Sequence, residues 1–396
     1  MIPEHVPGLI EYLLVLPPEG SSDDRSFKFP FLVSRIFNKF TDILDEINEK
    51  EEWIKQILGV LDQPPPINLV ITMYFTEFCE NLLSRDKKLL KVVVRDCPEC
   101  IFSHLGNRNL NSFVINILSK CAKSEKYYEF AEKIVGWLVD GTKSEECCTN
   151  AQEILSACIV EDPIYQKFKG YAEEMFLDFY EKSRKVQLNR LKVIKVFLEK
   201  EKDLKFIDED FWGTEETVDV IQKHSELYEK WLSTENNPWI LMSMGIKIQT
   251  VGFNIMVALE IIGLFVDMRQ ERVNEIITSE KLMEKVLGLL ENHQLSSVFH
   301  NNFTNFAMIC LSSALFSKFV SLLLPFLSKY FITTNENPQK SFGFLATCYK
   351  TGSMLMNLSK TNNQIQEILE NNQTWVEIEK FLIEKMTVNS NLIEYL

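Results

Sequence analysis

"FPFLVSRIFNKFTDILDEI", residues 29–47, carries the pattern that decides the fold. Phe29, Val33, Ile36, Phe37, Phe40, Ile43 and Leu44 recur at helical spacing, with Asp42, Asp45 and Glu46 on the other side. Apolar residues three and four apart form one stripe of an α-helix, and a helix with such a stripe must bury it against a neighbour. The pattern repeats along the chain. "NLNSFVINILSKCAK" shows it through Phe113, Val114, Ile117, Leu118 and Cys121, and "VQLNRLKVIKVFLEKEKD" through Leu188, Leu191, Ile194 and Leu198. No period-two strand of useful length stands out.

Short breakers separate the helices: "PPEGSSDD" at 17–24, "DQPPP" at 62–66, Gly106-Asn107, Gly141, "EDP" at 161–163, "NNPW" at 236–239 and "NENPQ" at 335–339. Proline and glycine punctuate helices, and none of these runs is long enough to be a domain linker. The spacing predicts an all-α chain, an α-solenoid of HEAT/armadillo-like antiparallel helix pairs of about 40 residues, each burying its apolar face on the next. A single compact bundle is less suited to 396 residues, because one core rarely grows past about 250–300. The expected organisation is an N-terminal helix and polar loop over 1–24 and one continuous helical-repeat domain over 25–396.

Composition narrows the function. Against 42 Lys+Arg stand 56 Asp+Glu, a net charge of −14, and no basic run is dense enough to neutralise several phosphates. Nucleic acid and anionic lipid are therefore poor partners, and a protein is the expected one. Nine cysteines in unpatterned positions, with no basic leader in "MIPEHVPGLIEYLLVLPPEG", point to a reducing, cytoplasmic setting. The sequons at Asn302, Asn357 and Asn372 would then go unmodified. The least polar stretches are "VGFNIMVALEIIGLFV", broken by Asn254 and Glu260, and "FAMICLSSALFSKFVSLLLPFL", broken by Lys318 and Pro325. Both read as buried helices, since a bilayer span takes about 20 predominantly apolar residues.

Catalytic signatures are lacking: no G-x-S-x-G, H-E-x-x-H, G-x-x-x-x-G-K-[ST] or G-x-G-x-x-G occurs in a suitable setting. Of the five histidines, only His293 and His300 are near enough in sequence to share a helix face. A Cys-His nucleophile assembled in space is the residual enzymatic reading. "DEDFWGTEETVD" puts Asp208, Asp210, Gly213 and Asp219 at calcium-loop positions 1, 3, 6 and 12. Trp212 offers no ligand at position 5, however, and Asp219 is too short for the usual bidentate Glu, so an acidic loop is preferred. "DCPECIFSH", residues 96–104, resembles half a zinc site or a redox pair, yet no second pair of ligands follows at a suitable spacing. The preferred reading is a helix start, with Asp96 as N-cap, Glu99 three residues on, Pro98 in the first turn, Cys97, Ile101 and Leu105 on one face, and Gly106 ending it. No metal or cofactor is expected.

Several segments, in order, resemble the SAPS-domain family, the helical-repeat regulatory subunits of phosphatase-six-type serine/threonine phosphatases. "RSFKFPFLVSRIF" (25–37) resembles its early aromatic-Pro-Phe block, and "PPINLVITMYFTEFCENLLSRDKKLL" (65–90) its helix of Asn, small and aromatic residues. "CIFSHLGNRNLNSFVINIL" (100–118) places His104, Leu105 and Gly106 at its His-Ile-Gly block. "GFNIMVALEIIGLFV" (252–266) resembles a glycine-led helix with a mid-helix Glu, here Glu260. "HNNFTNFAMICL" (300–311) resembles an Asn-Asn-Phe block, and 351–396 the closing helices, with Trp375 at their tryptophan. Departing from that pattern, Asn305 stands where the family carries a histidine, Thr351 near another, and apolar residues around Ile255 where it carries an arginine. The chain as given ends at "NLIEYL", without the acidic tails that many relatives append.

The resemblance implies a non-catalytic scaffold that binds a serine/threonine protein phosphatase catalytic subunit and directs its substrate choice or location, with room for a further scaffold subunit. The metal chemistry would belong to the catalytic partner. Matched to the family's blocks, Phe29, Pro30, Phe31, Asn68, His104, Asn302 and Phe303 are the candidate partner-binding residues, each with packing or helix capping as its plainer role. The solenoid alone would also allow a general armadillo-like adaptor with no link to phosphatases.

Overall fold

The computed structural model describes residues 3–85, 88–96, 99–204, 213–235, 237–241, 247–277, 279–313, 315–333 and 342–393. Cys97 and Pro98 of the cysteine pair, the breaker at 335–339, and Asp208, Asp210 and Trp212 of the calcium-like loop lie outside them. The chain forms two compact units, Met1–Phe197 and Leu198–Leu396.

Unit 1 opens with α1 (Val6–Leu14), α2 (Phe29–Lys39), α3 (Thr41–Glu49), α4 (Glu51–Leu58), α5 (Leu69–Arg85) and α6 (Lys88–Asp96). It continues through α7 (Cys100–Ser103), α8 (Asn111–Ala122), α9 (Tyr128–Gly141), α10 (Cys148–Cys158) and α11 (Asp162–Lys169) into α12 (Arg184–Asp203), which carries the chain across the unit boundary. Helices α2, α5, α8 and α10 pack successively on one another, starting at residues 29, 69, 111 and 148, so the repeat is about 40 residues. Helix α4 packs on α6, and α9 on α11. Aromatic rings lock the first row: Phe37 stacks on Phe78 with centroids 4.4 Å apart, and Phe75 meets Phe113 edge-on at 5.2 Å. Helix α1 packs on α2, α4 and α5, so the N-terminal helix belongs to this core, with Ile10, Leu13 and Leu14 buried.

Unit 2 contains α13 (Glu215–Lys223), α14 (Glu226–Trp231), α15 (Phe253–Asp267), α16 (Glu271–Ile277) and α17 (Glu280–Asn292). After them come α18 (Ser297–Leu311), α19 (Phe316–Thr333), α20 (Phe342–Thr361), α21 (Asn363–Glu370) and α22 (Gln373–Ile393). The same logic holds: α15, α18 and α20 pack in one row, while α14, α17, α19 and α22 pack in the other. The fold is thus all-α, with stacked helix pairs as the solenoid reading expects. No helix among the described residues is long and apolar enough to cross a membrane.

Polar ties recur at the repeat spacing. The Asn38 amide donates to Glu77 at 2.6 Å, Asn111 to Glu153 at 2.9 Å and Asn302 to Glu260 at 3.3 Å, over sequence separations of 39, 42 and 42. Each ties one helix of a row to the next, and a charged acceptor makes such a bond stronger than a neutral pair.

One expectation is corrected. The stripe over 29–47 is two helices, because the chain bends at Phe40 (φ −105°, ψ 85°), leaving Phe40 half exposed; Phe29, at the start of the stripe, is also at the surface. Thr41 and Asp42, which favour helix starts over helix interiors, follow the bend. As expected of a chain without a strand of useful length, the strands among the described residues have three residues each: β1 (Trp239–Leu241) pairs antiparallel with β2 (Lys247–Gln249), Ile240 opposite Ile248. All three β1 residues are exposed, so no buried face leaves an alternating signature.

Gly252 ends the turn before α15 at φ +81° and ψ 144°, a region open essentially to glycine alone. A Cβ there would lie 2.7 Å from Asn254 Oδ1. Gly252→Ala should destabilise unit 2 by about 1–3 kcal/mol, read as a lowered urea midpoint with faster amide exchange in α15. An unchanged midpoint would mean that this backbone relaxes without strain.

Candidate partner-binding surface

The candidate residues divide by exposure. Helix α2 begins with Pro30 in its first turn, pre-set for helix and buried, which turns its neighbours outward. Phe29 packs edge-on against Tyr12 of α1 at 5.8 Å, and Phe31, 54% exposed, lies under the Arg35 guanidinium at 5.7 Å. Arg25 sits 4.2 Å from the Tyr12 ring centroid and donates to the Tyr12 carbonyl at 3.4 Å. With Phe27 at 71% and Leu32 at 45% exposure, this is a surface of aromatic and arginine side chains, the types that dominate binding energy at interfaces. Tyr12, Arg25 and Phe27 were not among the candidates. The signal was available in "FKFPF": rings at i, i+2 and i+4 span more than one helix face and cannot all be buried.

Asn68 caps α5. Its Oδ1 accepts from the Val70 and Ile71 amides at 2.9 and 3.4 Å, satisfying two of the donors that a helix start leaves open. His104 is buried, its Nε2 3.0 Å from the Leu61 carbonyl. Beside it the buried Asn107 donates to Thr72 Oγ1 at 3.1 Å and accepts from the Asn109 amide at 3.1 Å, joining the "HLGN" turn to α5. In unit 2, Phe303 of α18 is buried, and the half-buried Asn302 reaches Glu260 of α15. Phe29, Phe31 and Asn68 are thus at the surface of unit 1, while Pro30, His104 and Phe303 pack inside.

The stretch from Asp96 differs from its reading. Asp96 is the last residue of α6, not an N-cap. It takes the Arg95 guanidinium at 2.6 Å and Lys55 at 3.5 Å, and the Arg95 hydrogen bond holds its carboxyl at about 2. Helix α7 starts at Cys100 behind Glu99, with no side-chain cap, while Ile101 and Leu105 are buried as expected. The Cys100 thiol lies 3.8 Å from Asp62, and burial followed by that carboxylate pushes its pKa up, the reverse of what a reactive thiol needs. Burial pushes Cys121 and Cys158 to about 12. Among the described residues no three His, Cys, Asp or Glu side chains converge as a metal site. His293 follows α17 and His300 lies in α18, so the two do not share a helix.

No family model matches the chain. It is similar to the Xenopus laevis serine/threonine-protein phosphatase 6 regulatory subunit 3-B, 22% identical over 169 residues, covering 39% of this chain and 20% of that protein. To regulatory subunit 3-A of the same organism it is 20% identical over 139 residues, covering 34% of this chain and 16% of that one. The matched segment therefore spans a fifth or less of those relatives. Among solved structures, an engineered protein superposes with a TM-score of 0.41 at 11% identity, covering 96% of this chain and 98% of that one. A SYS-1/POP-1 complex superposes with a TM-score of 0.42 at 12% identity, covering 97% and 67%. The helix order and packing of each unit, not these superpositions, define the fold.

Proposed function

We propose that this chain is a non-catalytic regulatory scaffold, SAPS-like, that binds a serine/threonine protein phosphatase catalytic subunit in the cytoplasm and directs its substrate choice or location. The similarity to two phosphatase 6 regulatory subunits carries the reading, and a helical stack that presents a preformed surface suits it. The chemistry, with its metal ions, resides in the catalytic partner. On this chain the work is recognition, and the anchor is the α1–α2 surface, where the exposed Phe27 and Phe31 would enter a partner's pockets while Tyr12, itself held by Arg25, packs against Phe29.

The test uses the full chain on a support and the purified phosphatase 6 catalytic subunit. Wild type should retain the subunit, and Phe27→Ser with Phe31→Ser should weaken retention by about tenfold or more, the loss of one or two hot-spot side chains, without lowering Tm, because both rings are exposed. Retention that is equal in the variant sinks the anchor. No retention by wild type sinks the phosphatase reading.

A further inference from the structure

The outward face of α5 changes character along its length. Leu69, Val70 and Met73 are 65%, 54% and 49% exposed, while Glu77 and Glu80 follow on the same side one and two turns beyond Met73. Opposite stand Asn109 and Asn111, from the turn before α8 and its first residue, with Glu153 of α10 beyond them. Together they line a shallow, open groove of about 360 Å³.

Charge and hydrogen-bonding capacity say what fits. Among the described residues that line it, Glu77, Glu80 and Glu153 stand beside one cation, Arg108, already paired with Glu153 at 3.1 Å. Glu77 accepts only neutral donors, Ser34 at 3.2 Å and Asn38 at 2.6 Å. The groove is therefore negative before anything enters it. Asn111 spends one N–H on Glu153, yet an amide has two N–H groups and two lone pairs, so it keeps capacity for an incoming backbone. Asn109 is held by its bond to the Leu69 carbonyl at 2.8 Å, which fixes that wall. Packed helices lie about 8–10 Å apart and an extended chain advances about 3.3 Å per residue, so residues three apart in an extended segment would span from α5 to α8. A helical segment satisfies its own backbone and has no use for the amides.

We propose that the groove between α5, α8 and α10 of unit 1 binds an extended, basic segment of a partner protein, with an apolar side chain on Met73 and a lysine or arginine at Glu77 and Glu80. This surface is separate from the α1–α2 anchor, and its use does not depend on the phosphatase reading.

The probe is a fluorescein-labelled decapeptide alternating valine and lysine with a central proline, titrated with the full chain and read by anisotropy. It should bind saturably and weaken with added salt, as a charge-driven contact does, while the same peptide with glutamate for lysine should not bind. Glu80→Lys with Met73→Ser, which removes one carboxylate and the apolar contact together, should weaken binding about tenfold or more at an unchanged Tm. Should the double variant lose stability, Glu80→Lys alone must still weaken binding. Glu226→Lys with Glu229→Lys, a larger charge change in unit 2, should leave it intact. Equal binding by wild type and the groove variants, an equal loss in the unit 2 control, or tighter binding of a helix-forming alanine–lysine peptide of the same charge would each overturn the proposal.

Discussion

Phe113→Ala is expected to destabilise unit 1 by about 3–5 kcal/mol, the cost of removing a buried aromatic ring and leaving a cavity that closes only in part. Phe113 is fully buried in the first full turn of α8, edge-on to Phe75 of α5, also fully buried, at 5.2 Å and 72°. That geometry adds about 0.5–1.5 kcal/mol to the burial itself. The surroundings have little to collapse with, since Val114, Ile117 and Leu118 are buried on the same helix and Ile71 and Phe78 on α5. Phe113→Leu keeps most of the volume and should cost much less, about 1–1.5 kcal/mol. Urea unfolding of the full chain measures the loss, and amide exchange in α5 and α8 localises it to unit 1. The effect should also reach the groove, because Asn111 and Ser112 at the start of α8 line it. A cost below about 1 kcal/mol for the alanine variant would mean that the ring does not hold these two helices together.

What could be read from the sequence was whatever the core imposes. Val33, Phe37, Ile43 and Leu44 are buried as the stripe requires, and the 40-residue tiling follows because each helix pair must hide its apolar face on the next. Segments far apart in sequence touch: Glu260 of α15 receives the amide of Asn302 from α18, and Gly252 leads α15 because the backbone there has positive φ. The bend at Phe40 leaves no mark in the pattern because two short helices with apolar faces give the same spacing as one long one. Asp96 is ambiguous for a similar reason: an aspartate two residues before a proline suits a helix start, but the preceding Arg95 gives it a partner at a helix end. The binding surfaces were hardest to read. Exposure separates Phe29 and Phe31 from Pro30 and Phe303, and pattern alone cannot supply it for an aromatic residue that would suit a core equally well. Met73, Asn109 and Glu153 form a groove only because three helices of successive repeats lie side by side, a relation between residues far apart in sequence.

Acid should weaken unit 2 before it weakens the ion pairs elsewhere, with two histidines setting the window. His293 and His300 are 7% and 4% exposed, and burial lowers the pKa of both from the usual 6.5. The His293 Nδ1 lies 3.1 Å from the Gln249 carbonyl, a partner that can only accept, so this nitrogen carries the proton of the neutral ring. His300 lies 6.4 Å from the Phe344 ring in α20, and its two ring nitrogens make no hydrogen bond of good geometry among the described residues. As pH falls through 6.5, the unfolded chain takes up protons at these positions while the folded chain does not. The unfolded state then binds more protons, so stability drops with falling pH, by up to about 1.4 kcal/mol per pH unit for each histidine. The loss levels off below the two lowered folded values. Carboxylates held down by partners, Asp96 by Arg95 and Glu161 by Lys123 and Ser119, lose their contribution only below about pH 4.5, so the windows separate. His300→Phe, which puts an apolar ring beside Phe344, should remove its share of the slope between pH 6.5 and 5. Adding His293→Gln, which retains a donor for the Gln249 carbonyl, should remove the rest. Urea midpoints across that range read the slope, with amide exchange in α17 and α18 assigning it to unit 2. A slope between pH 6.5 and 5 that persists undiminished in the double variant would show that these two imidazoles do not carry it.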